Sequence, residues 1–161
     1  MRGPRLVTLL AITVALSAGH ASAQALTNPY GPSINLETAK RVAAAALAEV
    51  RKNNWAMAVA ITDTTGELVY FEKMDHTQLG SVTVAQAKAR SSARFKRATK
   101  AFQDGLTATP DGLRILGIEG AVPVEGGAPI VIDDKVVGAI GVSGGTSPQD
   151  GQCAAAGLAA L

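Results

Sequence analysis

Cysteine, histidine and aromatic residues are all scarce in these 161 residues, and each scarcity removes a class of chemistry. The single cysteine, Cys153, rules out an intrachain disulfide and a structural zinc site built from several thiolates. The only histidines are His20 and His76, so a multi-His metal centre does not fit within one chain. Aromatics make up 4% of the residues, and Phe95 alone falls among the clustered basic ones. That argues against a nucleic-acid surface. No Walker loop or dinucleotide fingerprint occurs. The apolar stretch Leu6–Ala18 falls short of the roughly 20 residues that a membrane-spanning helix needs.

That stretch has another reading. Arg2 and Arg5 precede it and Ala21-Ser22-Ala23 follows, which together are the three parts of a secretory signal peptide. Residues 1–23 are expected to be cleaved, giving a periplasmic or secreted protein with no membrane attachment afterwards. Removal of Arg2 and Arg5 takes the formal charge from +2 to zero and leaves no global attraction for nucleic acid. It also removes His20, so His76 becomes the only imidazole.

Residues 24–35, rich in Asn, Pro and Gly, read as an irregular leader, and 36–161 as one domain. Leu36–Lys52 keeps helical spacing behind the N-cap candidate Asn35. Trp55–Thr62 alternates large and small side chains, as in a strand covered on both faces. It forms a hairpin with 67–74 through Asp63-Thr64-Thr65-Gly66. A helix is expected from Val82 to about Thr99, with Lys100–Leu106 continuing or breaking it. A loop follows over 107–117, then a short edge strand at Val122-Pro123-Val124. A second hairpin turns at Asp133-Asp134. A final helix is capped by Ser147, with Asp150 three residues on, as in a capping box. Hairpins rather than crossovers predict an α+β fold with a mainly antiparallel sheet flanked by helices.

Three constellations carry candidate chemistry. Lys88, Arg90, Arg94, Lys96, Arg97 and Lys100 form a basic stretch without an acid. They read as a solvated face or as an anion site for carboxylates or propionates. Met74-Asp75-His76-Thr77 leaves the second strand, where ligand-facing groups often sit. There His76 suits a haem iron, Met74 is a softer ligand or a core residue, and Asp75 or His76 could serve as acid/base. Gly144-Gly145, running into the helix at Ser147, reads as an anion-binding helix start or as a turn with close backbone approach. Gly141-x-Ser143-x-Gly145 has the spelling of a hydrolase elbow, but only His76 is present to activate the serine.

Gly126-Gly127-Ala128-Pro129-Ile130, Gly138 to Gly145, Gln149-Asp150, Asp63-x-x-Gly66, Met74-Asp75 and Lys88-Ala89 together resemble the GlcG/HbpS-like haem-binding family, related to the C-terminal domain of PduO-type proteins. The resemblance spans about Leu36 to Leu161. It implies a five-stranded antiparallel sheet with profilin/PAS-like layering, a homo-oligomer, and haem as cofactor in a sensing, storage or degradation role. The family often has Arg-Met-Asp-Gly-Ala at Lys73–Thr77 and Lys-Ala-x-Thr-Ala at Lys88–Ser92. On this resemblance the iron lies near His76 or Ser91 and the propionates near Lys88 or Arg94. Two alternatives stand beside it. One is an enzyme or binding protein for a small carboxylated metabolite, held by Lys88, Arg94 and Gly144-Gly145. The other is a structural homo-oligomer without catalysis.

Overall fold

A computed structural model describes residues 27–161; the expected signal peptide and the first part of the leader lie outside them. The elements are α1 (Leu36–Lys52), β1 (Ala58–Thr62), β2 (Leu68–Lys73), α2 (Ser81–Phe95), α3 (Thr99–Ala108), β3 (Gly127–Ile132), β4 (Lys135–Ser143) and α4 (Ser147–Leu158). The strands form one antiparallel sheet in the order β2-β1-β4-β3.

The alternation in 55–62 decides the layering. Met57, Val59 and Ile61 point to one face, where they meet Ile140 and Val142 of β4, the apolar stripe of α1 and Cys153 and Ala154 of α4. Val42, Leu47 and Val50 of α1 are wholly buried there, each contributing about 1.5–3 kcal/mol of burial free energy. Ala58 and Ala60 point to the other face, against Ala85 and Ala89 of α2. Small residues let α2 lie unusually close. A Cβ built on Gly141 would come within 2.5 Å of the Ala89 amide nitrogen, so only glycine fits under the helix.

Local chemistry sets the ends. Asn35 caps α1 by accepting from the Thr38 amide at 2.8 Å. The β1–β2 turn is tied by Asp63 Oδ1, which accepts from the Thr65 and Glu67 amides at 2.8 and 2.9 Å. Lys96, at φ +47°, ends α2 in the left-handed region, and the helical path restarts at Thr99.

Several expectations need correction. Among the described residues the sheet has four strands, not the five that the resemblance implies. Val122-Pro123-Val124 is not a strand. Pro123 has no amide to donate, and the Val122 amide goes to Ser91 Oγ at 3.1 Å instead. The 107–117 segment is a continuation of α3 followed by a 3-10 helix, Pro110–Gly117. The cap of α4 is Thr146, one residue before Ser147. The Gln149 side chain reaches back to the Thr146 amide at 2.9 Å, while Asp150 turns inward. The leader is irregular but docked. Tyr30 forms a single parallel bridge with Val136, beside β4 where β1 has ended. The Tyr30 hydroxyl is 2.9 Å from the Ala93 carbonyl and 3.0 Å from that of Arg94, at the end of α2.

Candidate functional site

The basic stretch that begins in α2 and ends in α3 is mostly consumed by the fold. Arg90 and Arg94 lie on one stripe, and both reach the β1–β2 turn. Arg90 Nε donates to the Gly66 carbonyl at 3.1 Å and Arg94 Nε to that of Thr65 at 2.7 Å, with Glu67 beside both. Lys96 donates to the Asn28 carbonyl at 3.0 Å and covers the Tyr30 ring. Arg97 lies over Phe102, and Lys100 pairs with Asp104 at 2.9 Å.

Lys88 is the most informative of the set. Its side chain is 1% exposed, and its Nζ lies 2.7 Å from Asp150 Oδ2, itself 3% exposed. The same ammonium donates to the Val142 carbonyl at 3.1 Å. Asp150 Oδ1 accepts from the Gly145 amide at 3.0 Å, and the Gly144 amide is a further donor to this carboxylate. The groups expected to offer an anion site to a ligand, Lys88 and the Gly145 amide, are therefore engaged by the chain's own Asp150. Burial pushes the Asp150 carboxyl above the usual carboxylate range, against the pull of Lys88 and the two glycine amides. The pair joins α2, β4 and α4 at the heart of the domain, so Lys88 is not offered to a ligand at the surface. Ser91 is also buried, with its hydroxyl taken by the Val122 amide. Ser147 is merely the first residue of α4.

His76, Asp75 and Met74 have a different setting. With Arg51 and Asn54 at the end of α1, Trp55-Ala56 before β1, and Glu72-Lys73 at the end of β2, they line an open groove of about 800 Å³. Met74 is half-buried and packs on the core, whereas Asp75 and His76 are exposed. The Thr77 amide bonds the Met74 carbonyl at 3.3 Å, closing a turn whose third residue is His76. His76 has φ +65°, a conformation in which glycine is the ordinary occupant. Histidine at this position costs backbone free energy and places an imidazole at the groove in return.

Chemically the groove joins an apolar surface from Trp55, Ala56 and Met74 to an imidazole and two cations, Arg51 and Lys73. Among the described residues no three His, Cys, Asp or Glu side chains converge as a metal cage. A ligand that brings its own metal and an apolar plate suits this lining better than a bare ion does. Of the residues lining this groove, the sequence singles out Met74, Asp75 and His76 but not Arg51, Trp55 or Lys73. The signal was present for Lys73, which stands where the resembling family has arginine. Nothing local marks Arg51 or Trp55, because the folded chain alone brings the end of α1 beside the end of β2.

A family model described as "Haem degrading protein HbpS-like" matches residues 34–159. The protein GlcG of Escherichia coli (strain K12) is 34% identical over 114 residues, which span 68% of this chain and 81% of GlcG. Among solved structures, HbpS superposes with a TM-score of 0.73 at 27% identity, over 86% of this chain and 97% of that one. A PduOC–haem complex superposes at 0.72 and 25% identity, over 80% and 95% respectively.

Proposed function

The chain belongs to the HbpS-like family, and from that premise we propose that it is an exported haem-binding protein whose site is the groove lined by His76. The observation that carries this reading is the position of His76. The one imidazole outside the expected signal peptide stands at a backbone conformation suited to glycine, on the rim of the chain's apolar, cation-bearing groove. A neutral imidazole is the commonest protein ligand for haem iron. Trp55, Ala56 and Met74 would take the porphyrin face. When bound, haem supplies one-electron and oxygen chemistry; the chain's part is to hold it, orient it and limit water on one side.

The test is a hemin titration followed at the Soret band, on the mature protein and on His76→Gly. Glycine keeps the positive φ, so the turn is preserved while the imidazole is lost. Saturable binding is expected, weakened at least tenfold in the variant, with an unchanged or higher melting temperature. Absence of any saturable spectral change, or equal binding by the variant, rejects the reading.

Export is supported by the pattern of residues 1–23, and an N-terminal sequence starting at Gln24 in a periplasmic or culture fraction is the expected result. A carboxylated metabolite in place of haem would find Lys88 and Gly144-Gly145 already engaged by Asp150 and would have to use Arg51 and Lys73. Thermal-shift measurements with organic acids separate the two ligands. Leu113, Leu116 and Ile118 lie exposed on and just after the 3-10 segment. They support a homo-oligomer, for which the solution mass is the measurement.

A further inference from the structure

We infer that Arg51 and Lys73 make the groove selective for tetrapyrroles with free carboxylates, and that the ligand's carboxylate takes Arg51 over from Glu72. This rests on the haem reading of the groove. Arg51 lies in the last turn of α1, and its guanidinium is 3.4 Å from Glu72 Oε1. Both side chains face solvent, 56% and 37% exposed. An ion pair this long and this wet stabilises little and is readily exchanged.

Glu72 is not orphaned by the exchange. The Tyr70 hydroxyl donates to its other oxygen, Oε2, at 2.7 Å. The carboxylate thus keeps a partner on β2 after Arg51 has left, and the guanidinium is held at the groove until a better acceptor arrives. A planar guanidinium can grip a carboxylate with two parallel bonds, and Lys73 supplies a second point charge for a second carboxylate. Lys73 makes no ion pair among the described residues, so nothing has to be displaced from it. Glu72 and Asp75 balance the two cations over the groove as a whole. Attraction for an anion is therefore local to Arg51 and Lys73, and the effect is one of specificity more than of overall field.

The experiment compares hemin with its dimethyl ester, in which both carboxylates are capped, on the mature protein and on Arg51→Gln, Lys73→Gln and Glu72→Gln. The mature protein is expected to bind hemin about tenfold more tightly than the ester, the equivalent of one to two exposed charge-assisted contacts. Arg51→Gln and Lys73→Gln should each weaken hemin severalfold and leave the ester unchanged. Glu72→Gln should tighten hemin or leave it unaltered, because a competitor has been removed. If both porphyrins bind and the protein does not discriminate, or if Arg51→Gln weakens both equally, the inference fails while the haem reading stands. If neither porphyrin binds, both fail. Unchanged circular dichroism confirms that each variant is folded, as expected for exposed positions.

Discussion

Replacing Lys88 by methionine leaves Asp150 buried with two glycine amides and no cation. Breaking a buried pair from one side typically costs about 3–5 kcal/mol. Here the structure supplies a ceiling. Asp150 can escape by taking a proton, and from an unfolded pKa of about 3.9 that escape costs about 4 kcal/mol at pH 7, falling by about 1.4 kcal/mol for each pH unit below. The expected loss is therefore about 3–4 kcal/mol at neutral pH and less than half that at pH 5. For a domain of this size it corresponds to a drop in melting temperature of roughly 10–20 °C at neutral pH. The sign follows from linkage. A carboxyl whose folded pKa is raised holds a proton that the unfolded chain has released. Its contribution to stability is present at low pH and lost as pH rises from the ordinary carboxylate pKa through the raised one. Removal of Lys88 raises the folded pKa further and widens that window. Chemical denaturation of the variant at pH 5 and pH 8, followed by circular dichroism, reads the effect directly. Lys88→Met/Asp150→Asn leaves no buried charge, keeps an acceptor for the Gly145 amide, and should recover most of the loss. A single variant within about 1 kcal/mol of the parent at pH 8, or one with no pH dependence, would refute the reasoning.

Three further outcomes follow from the packing. Gly141→Ala would place a Cβ against the backbone of α2; a loss of about 1–3 kcal/mol is expected in thermal unfolding. Tyr30→Phe removes the hydroxyl that ties the leader to the end of α2 and should cost about 1 kcal/mol or less, measured the same way. Burial pushes the Cys153 thiol up to about 11. It should therefore resist a thiol-specific disulfide reagent at pH 8 in the native protein and react stoichiometrically in denaturant.

Much of the scaffold was legible because its signals are local. The alternation of 55–62 announced both faces of β1, and the Asn35 cap and the Asp63–Gly66 turn needed only their own neighbours. The misreadings share a cause. The sequence pattern places Asp150 in the α4 cap, but its carboxylate is drawn to Lys88, 62 positions away in sequence, so the cap shifts to Thr146 and Gln149. Gly144-Gly145 reads as an anion-binding helix start or as a turn, and in the structure the Gly145 amide is taken by the chain's own Asp150. The charges of Arg90 and Arg94 read as a solvated face or an anion site, and in the structure both reach the β1–β2 turn.

The sequence alone determined the layered α+β fold, the scarcity of metal-binding side chains and the standing of His76 as the one histidine outside the expected signal peptide, since periodicity, composition and counting require no knowledge of distant contacts. Only the tertiary structure decided which charged groups are free. It buried Lys88 on Asp150, turned Arg94 to the hairpin, and brought Arg51 and Lys73 from separate elements beside His76. Side-chain availability depends on what the folded chain places within a few ångströms, and that distance is not written in sequence separation.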